Sequence, residues 1–336
     1  MTIWFKSELE RTLKPGNQLP HALLIKGSQG IGKQDFGLAL AQGLLCEQPA
    51  STGAACGRCS ACAWFTSGAH PDFRLLGPAT EGDAEAEAGE GAKKTRASPW
   101  ISVEQVRELH DFIHVSSHRG GRKVILVSPA EALNINAANA LLKNLEEPPA
   151  QTHFILISHR PQRLPRTIIS RCRQLSLGRP DPATALAWLR EQGVVEPEVA
   201  LAQCSGAPLL ALAASEGGEL AGRRDFLGHI ADPDFDPLAA AEALRDLPLD
   251  RFIGWMQKWT HDVVSQRMLG SICYNTDMAR ELAVVARRTE LLAALRLHRK
   301  LVREQRNIHH PLNTRLYIES VLLAYAGAVN PARKAA

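Results

Sequence analysis

The sequence predicts an α/β P-loop module, a parallel sheet with helices on both faces, followed by an all-helical remainder. Three observations point there. The stretch GSQGIGKQ, residues 27 to 34, lies between the apolar run Ala22-Leu23-Leu24-Ile25 and a helical pattern of Phe36, Leu38, Ala39, Leu40 and Leu44, which is the strand, loop and helix order of a phosphate-binding loop. Further apolar runs, Phe73-Arg74-Leu75-Leu76, Val124-Ile125-Leu126-Val127 and Phe154-Ile155-Leu156-Ile157, alternate with helical segments, as in a parallel sheet. Beyond Pro180 and Pro182 the strand-like runs stop and only helical patterns follow.

Between the second and third runs a helix is expected to open at Ser102, whose side chain caps the turn while Gln105 reaches back, and to bury Val106, Leu109 and Ile113. Another runs through AANALLKNLEE and stops before Pro148-Pro149, because a residue preceding proline resists helical geometry. The stretch between Pro78 and Pro99 has almost no apolar mass, so burial cannot offset its ordering entropy and it reads as a mobile surface loop. Helices then form a short set to about Ser215 and a longer set ending in LYIESVLLAYAGA.

A chain of 336 residues exceeds one ordinary core, so two or three domains are expected. Apolar residues at 45% and charged residues at 22% describe a globular protein. No apolar run approaches the roughly 18 residues that span a bilayer, so no membrane role is expected. MTIWFKSELE does not resemble a secretory signal, and the cytoplasm is the expected compartment. A net charge of +4 and a pI near 8.7 permit contact with nucleic acid.

Four of the seven cysteines, Cys46, Cys56, Cys59 and Cys62, follow a C-x9-C-x2-C-x2-C spacing. Reduced thiols clustered this way suit a tetrahedral zinc ion, since each C-x2-C turn brings two thiolates to one metal. With neither a histidine nor an acid among the four, no coordination position stays open, and a structural ion is expected. An iron-sulfur cluster is the sharper rival, but the fourth cysteine lies upstream and none downstream completes the ferredoxin pattern. Four unrelated buried thiols are the blander one. Cys172, Cys204 and Cys273 are expected as core or near-core thiols.

Gly30, Gly32 and Lys33 can still cradle phosphates through loop amides and the dipole of the following helix. Hydrolysis needs more. A phosphate-binding loop usually places Ser or Thr after its lysine as a magnesium ligand, and the strand VILV would end in a second, acidic ligand. Here those positions hold Gln34 and Ser128, with Pro129 next. Glu131 is expected to face elsewhere. Turnover is not expected; nucleotide held without hydrolysis and a fossil loop in which Lys33 is solvated or paired with a carboxylate both remain open.

Arginines at 160, 163, 166, 171 and 173 form a basic rim at the sheet's carboxyl edge. Within it, TIISRC at 167 to 172, with ANALLKNLEEPP at 138 to 149 and the four-cysteine insertion, resembles the AAA+ clamp-loader subunits of bacterial DNA polymerase III. The likeness covers nearly all of residues 20 to 178, SGAPLLALA at 205 to 213 and NTRLYIESVLL at 313 to 323. The weakened ATP motifs resemble the stator type of subunit, not the ATP-burning gamma/tau type. The resemblance implies an AAA+ domain over 1–178 with a zinc module at 46–62 and an insertion at 78–99, a helical lid over 179–218, and a helical collar over 219–336 that assembles five subunits into a ring. It implies that Arg171 is an arginine finger acting in trans on nucleotide held by the next subunit. The implied partners are the gamma/tau and delta subunits in a hetero-pentameric ring, the sliding clamp and primed template DNA. Active relatives keep a nucleotide-sensing arginine in the lid where this chain reads Ala207-Pro208-Leu209-Leu210. The insertion at 79 to 98 matches nothing in the family.

The resemblance also implies that the helix from Ser102 follows a phosphate backbone, with Arg119, Arg122 and Lys123 nearby. For the isolated subunit, an ordinary capped helix beside the Gly120-Gly121 turn is the expectation. Two other functions compete. A catalytically active ATPase or helicase subunit is supported by Lys33 and opposed by Gln34 and Ser128-Pro129. A free-standing zinc protein would need aromatics interleaved with basic residues beside the cysteines, and CGRCSACAWF offers one arginine and two rings expected to pack.

Overall fold

Five strands, β1 (Ala22–Lys26), β2 (Phe73–Leu76), β3 (Lys123–Val127), β4 (Thr152–Ser158) and β5 (Arg173–Ser176), form one sheet in the order β2-β3-β4-β1-β5, with every pairing parallel. The coordinates are a computed structural model that describes residues 3–17, 19–79, 98–115, 117–118, 121–305 and 313–330. The chain divides into two compact units, Met1–Asp181 and Pro182–Ala336. The mobile loop expected between Pro78 and Pro99 lies mostly outside the described residues.

In the first unit the sheet is covered on both faces, which is why its central strands are apolar without alternation. Leu24, Ile125, Val127, Phe154 and Leu156 face α4 (Val103–His114), α5 (Ile135–Glu146) and α6 (Arg166–Arg171), whose Val106, Leu109, Ile113, Leu141, Leu145 and Ile168 complete that layer. The alternate residues meet α2 (Lys33–Leu45). A Cβ on Gly37 of α2 would lie 2.8 Å from Ile157 Cδ1, so glycine lets helix and sheet approach closely there. Helix α1 (Lys6–Leu13) packs on α2, and α3 (Ser60–Thr66) follows the cysteine loop. The loop after β1 emerges at the carboxyl ends of the strands, between β4 and the edge strand β5, the side at which open α/β sheets bind ligands.

The second unit is helical throughout its described residues: α7 (Pro182–Glu191), α8 (Pro197–Gln203), α9 (Pro208–Glu216), α10 (Glu219–Ala231), α11 (Pro237–Ala243), α12 (Leu249–Leu269), α13 (Ala279–Arg288), α14 (Leu291–Glu304) and α15 (Thr314–Val329). A small apolar cluster around Leu189, Ala200 and Ala211 serves α7 to α9, and a larger one around Phe252, Trp259, Leu282 and Leu322 serves the later helices. Trp259 Nε1 donates to Tyr325 Oη at 2.8 Å, which donates on to Ile230 O at 3.3 Å. Buried polar groups join the two clusters. Gln203 of α8 and Arg223 of α10 both donate to Asn275 Oδ1, at 2.9 and 2.7 Å, and Arg223 also pairs with Asp277.

Two expectations need correction. Cys172 is buried and Cys204 half-buried, but Cys273 is exposed, because the turn after α12 points its own backbone amides at Asp262 and leaves the thiol outside. The arginine-rich stretch hides a fifth strand: Arg173 and Gln174 belong to β5, which pairs only with β1 at the sheet's edge.

Candidate functional site

Gly30 and Gly32 adopt positive φ angles of 74° and 92°, which lets the loop fold back before Gly32 caps α2. Lys33, the first residue of α2, is only 2% exposed, and its ammonium donates to the Ser28 carbonyl inside the loop. Burial lowers its pKa to about 8, against the opposing pull of Glu131. The two residues that stand where magnesium ligands are expected meet each other: Ser128 Oγ donates to Gln34 Oε1 at 3.4 Å. A divalent ion wants anionic or strongly dipolar oxygens around it. Here a neutral amide and a neutral hydroxyl bond to one another instead.

Glu131 does not face elsewhere, which corrects the sequence reading. The turn at Ala130–Ala132 swings it to the end of β4, where Oε1 accepts from the amides of His159 at 2.9 Å and Arg160 at 3.0 Å. Its charge acts on Lys33. His159 completes the cluster: burial, with the nearby Lys33 charge, lowers its pKa, while Glu131 opposes. Sequence reasoning missed His159, although its place directly after β4 puts it at the same edge of the sheet as the loop. Glu131 Oε2 and His159 Nδ1 are buried without a hydrogen-bond partner. A carboxylate held by two amides, with a lysine charge nearby, is poorly disposed to activate water.

Arg171 ends α6, with Nη1 donating to Thr167 O at 3.0 Å and the guanidinium paired with Glu146 at the end of α5. Its side chain is 35% exposed. Arg160, Arg163, Arg166 and Arg173 are exposed, but a single rim at the sheet's carboxyl edge is corrected: Arg160 follows the end of β4, whereas Arg173 begins β5 level with Leu23, at the amino edge.

The four cysteines of the insertion converge. Their sulfurs lie within 4.8 Å of one another, with Cys46 at 3.9 Å from Cys59 and 3.7 Å from Cys62. Zn–S bonds of about 2.3 Å in a tetrahedron require S···S separations of about 3.8 Å, so the donor set fits zinc in number, softness and spacing. Amides of Cys56 and Cys62 point at Cys46 Sγ and Cys59 Sγ at 3.3 and 3.5 Å, as thiolate-stabilising turns do. Burial pushes the Cys62 thiol up to about 12, whereas for Cys59 burial is overcome by the amides of Cys62 and Glu47, which draw it down to about 6.

A family model described as "DNA polymerase III, delta subunit" matches residues 5–181. The DNA polymerase III subunit delta' of Pseudomonas aeruginosa is 34% identical over 329 residues, 94% of this chain and 94% of that one. Its counterpart from Escherichia coli is 30% identical over 340 residues, 98% of this chain and 96% of that one. The chain belongs to the DNA polymerase III delta-prime family. The tau subunit of Escherichia coli is 37% identical over 160 residues, which is 48% of this chain and 22% of that protein.

In this delta-prime family chain the first turn of α4 carries the expected capping box. Gln105 N donates to Ser102 Oγ at 3.3 Å and Ser102 N donates to Gln105 Oε1 at 2.8 Å. Both partners are therefore occupied within the helix. Lys123 is corrected as a free phosphate ligand: it is 5% exposed, lies over the Phe112 ring, and donates to the carbonyls of Phe112 and Val115, capping the end of α4. Arg122 is exposed, and Arg119 lies outside the described residues. Among the described residues no single helix is long and apolar enough to cross a membrane.

Proposed function

We propose that this chain is the stator of a clamp loader, a delta-prime-like subunit that helps place a sliding clamp on primed template DNA without turning over nucleotide itself. The observation that carries this reading is the Gln34–Ser128 contact, which closes the magnesium corner with neutral groups, beside a lysine already balanced by Glu131. Arg171 is the residue that acts on chemistry, as an arginine finger offered to nucleotide held by a neighbouring gamma/tau subunit. The lid over 179–218 and the collar over 219–336 join this chain, gamma/tau and delta into a hetero-pentameric ring in the cytoplasm. Cys46, Cys56, Cys59 and Cys62 hold a structural zinc ion. The loop at Gly30, Gly32 and Lys33 takes phosphates at most as a passive cradle.

The test is reconstitution with the partner ATPase subunits, the clamp and primed DNA. The purified chain alone should show no magnesium-dependent ATP hydrolysis. Arg171→Ala should slow ATP turnover by the assembled complex, by as much as about 10³-fold if the finger acts as in related NTPases. Robust hydrolysis by the lone chain, or unchanged turnover by the complex with Arg171→Ala, would remove the assignment.

A further inference from the structure

Helix α14 buries Ala294, Leu297 and Leu301 and turns Arg296, Arg299, Lys300 and Arg303 to the outside. Those four positions follow i, i+3, i+4, i+7 spacing, so the side chains form one continuous ridge. Glu304 is the single acid in these fourteen residues, which therefore hold three of the chain's four net positive charges. That acid is engaged, accepting from Tyr317 Oη at 2.7 Å and lying 3.8 Å from Lys300 Nζ. Among the described residues the three arginines have no carboxylate partner. Arg190 and Arg315, exposed on other helices of the same unit, and Arg245, in the turn after α11, each sit against a glutamate. Like charges one turn apart weaken a helix, so an uncompensated ridge is a standing cost unless an anion meets it.

We propose that the exposed face of α14 binds the phosphodiester backbone of nucleic acid, separately from any contact made by the first unit. From Arg296 to Arg303 the helix rises about 10.5 Å, and a strand of B-form duplex advances about 3.4 Å per phosphate along its axis, so a ridge lying along that axis faces about three phosphates of one strand. Guanidinium forks match phosphate oxygens in pairs, and three of the four groups are guanidinium. Protein interfaces deplete charge at their centres and place aromatic anchors there. This ridge has charge at its centre and no aromatic residue. Its reading is sequence-blind, since phosphate contacts carry no base information.

The experiment uses the full chain and a fluorescein-labelled duplex of roughly 20 base pairs, titrated from about 50 to about 200 mM KCl and followed by anisotropy. Three neutralised phosphates give a slope of log affinity against log salt near −2.7, so wild type should lose about 40-fold across that range. The variant Arg296→Gln/Arg299→Gln/Lys300→Gln/Arg303→Gln should bind about tenfold or more weakly at low salt and lose most of that slope, with a melting temperature no lower than wild type, since the like-charge repulsion is relieved. Arg190→Gln/Arg245→Gln/Arg315→Gln, which removes exposed but paired charges, should bind like wild type. The proposal is overturned if wild type fails to bind, or if the ridge variant keeps both affinity and slope. It is equally overturned if poly-L-glutamate of matched charge displaces the duplex as well as unlabelled duplex does, which would assign the ridge to an acidic polypeptide. Arg171 is intact in every protein compared, so failure here leaves the ATPase test of the stator reading untouched.

Discussion

Lys33→Met should stabilise the first unit, and only while the lysine would be charged. An ordinary lysine titrates at 10.5 and Lys33 at about 8, because the ammonium is buried. At about 1.4 kcal/mol per pH unit, the protonated form is held at a cost of about 3 kcal/mol. The native chain binds this proton less tightly than the unfolded chain does. Stability therefore rises with pH between about 8 and 10.5, and the cost is fully present below about 8. Methionine fills a similar volume without charge. Removing the ammonium also strips Glu131 of its counter-charge, and Glu131 Oε2 already lacks a partner, so the net gain at pH 7 should be nearer about 2 kcal/mol, or about 4 to 8 °C in melting temperature for a unit of this size. Calorimetry or urea unfolding of both proteins at neutral pH and near pH 10 checks it. A gap that shrinks as pH rises supports the argument. A Lys33→Met protein less stable than wild type at neutral pH, or a gap indifferent to pH, refutes it. An anion bound by Lys33 would stabilise wild type alone, so the same pair also reports whether the loop meets phosphate.

Zinc analysis of the purified chain should find one ion per chain. In a thiol-reactivity assay the exposed Cys273 should react at once and the four sulfurs of the insertion only after chelation; rapid reaction of Cys46, Cys56, Cys59 and Cys62 without a chelator would contradict the zinc reading. Arg223→Met should cost about 3 kcal/mol, the low end for breaking a buried pair, because Arg224 Nε still reaches Asp277 Oδ2 at 3.0 Å. The double change Arg223→Met/Asp277→Leu should recover much of that loss, since it removes both buried charges. A double variant that unfolds more easily than either single change would overturn the account. Burial raises the Asp277 pKa, but pairing with Arg223 outweighs it and leaves the carboxyl below its ordinary 3.8. The stability it adds is therefore present above that value and lost only in stronger acid, and unfolding midpoints of Arg223→Met should vary less over that acid range.

The strands that sequence reading found are those that carry a continuous apolar run, whether central, like β1, β3 and β4, or at the edge, like β2. Ala22–Lys26, Phe73–Leu76, Lys123–Val127 and Thr152–Ser158 each carry an apolar run that marks them, within two residues at either end. Strand β5 escaped because it has little to bury: Arg173-Gln174-Leu175-Ser176 offers one half-buried leucine, where the other edge strand, β2, offers Phe73, Leu75 and Leu76. The helix from Ser102 was legible down to its reciprocal cap, because that cap is written within four consecutive residues. Helix α3 was not, because its short apolar run follows the cysteines and reads as part of their loop.

The candidate site divides along the same line between local and distant information. Each weakened motif could be read where it stands, but the Gln34–Ser128 bond joins residues 94 positions apart, and no spacing rule announces it. Glu131 was misjudged because it lies past the strand, in a turn at Ala130–Ala132 whose path the sequence does not announce. The sharpest case is Arg171. The role proposed for it lies at a neighbour's nucleotide, and the isolated chain pairs it with Glu146, 25 residues earlier. The two statements are compatible on energetic grounds. Both side chains are at least a third exposed, at 35% and 48%, and exposed ion pairs contribute about 0 to 1 kcal/mol. A guanidinium held that lightly would exchange its carboxylate for a phosphate at little cost, which is what the proposed finger role requires.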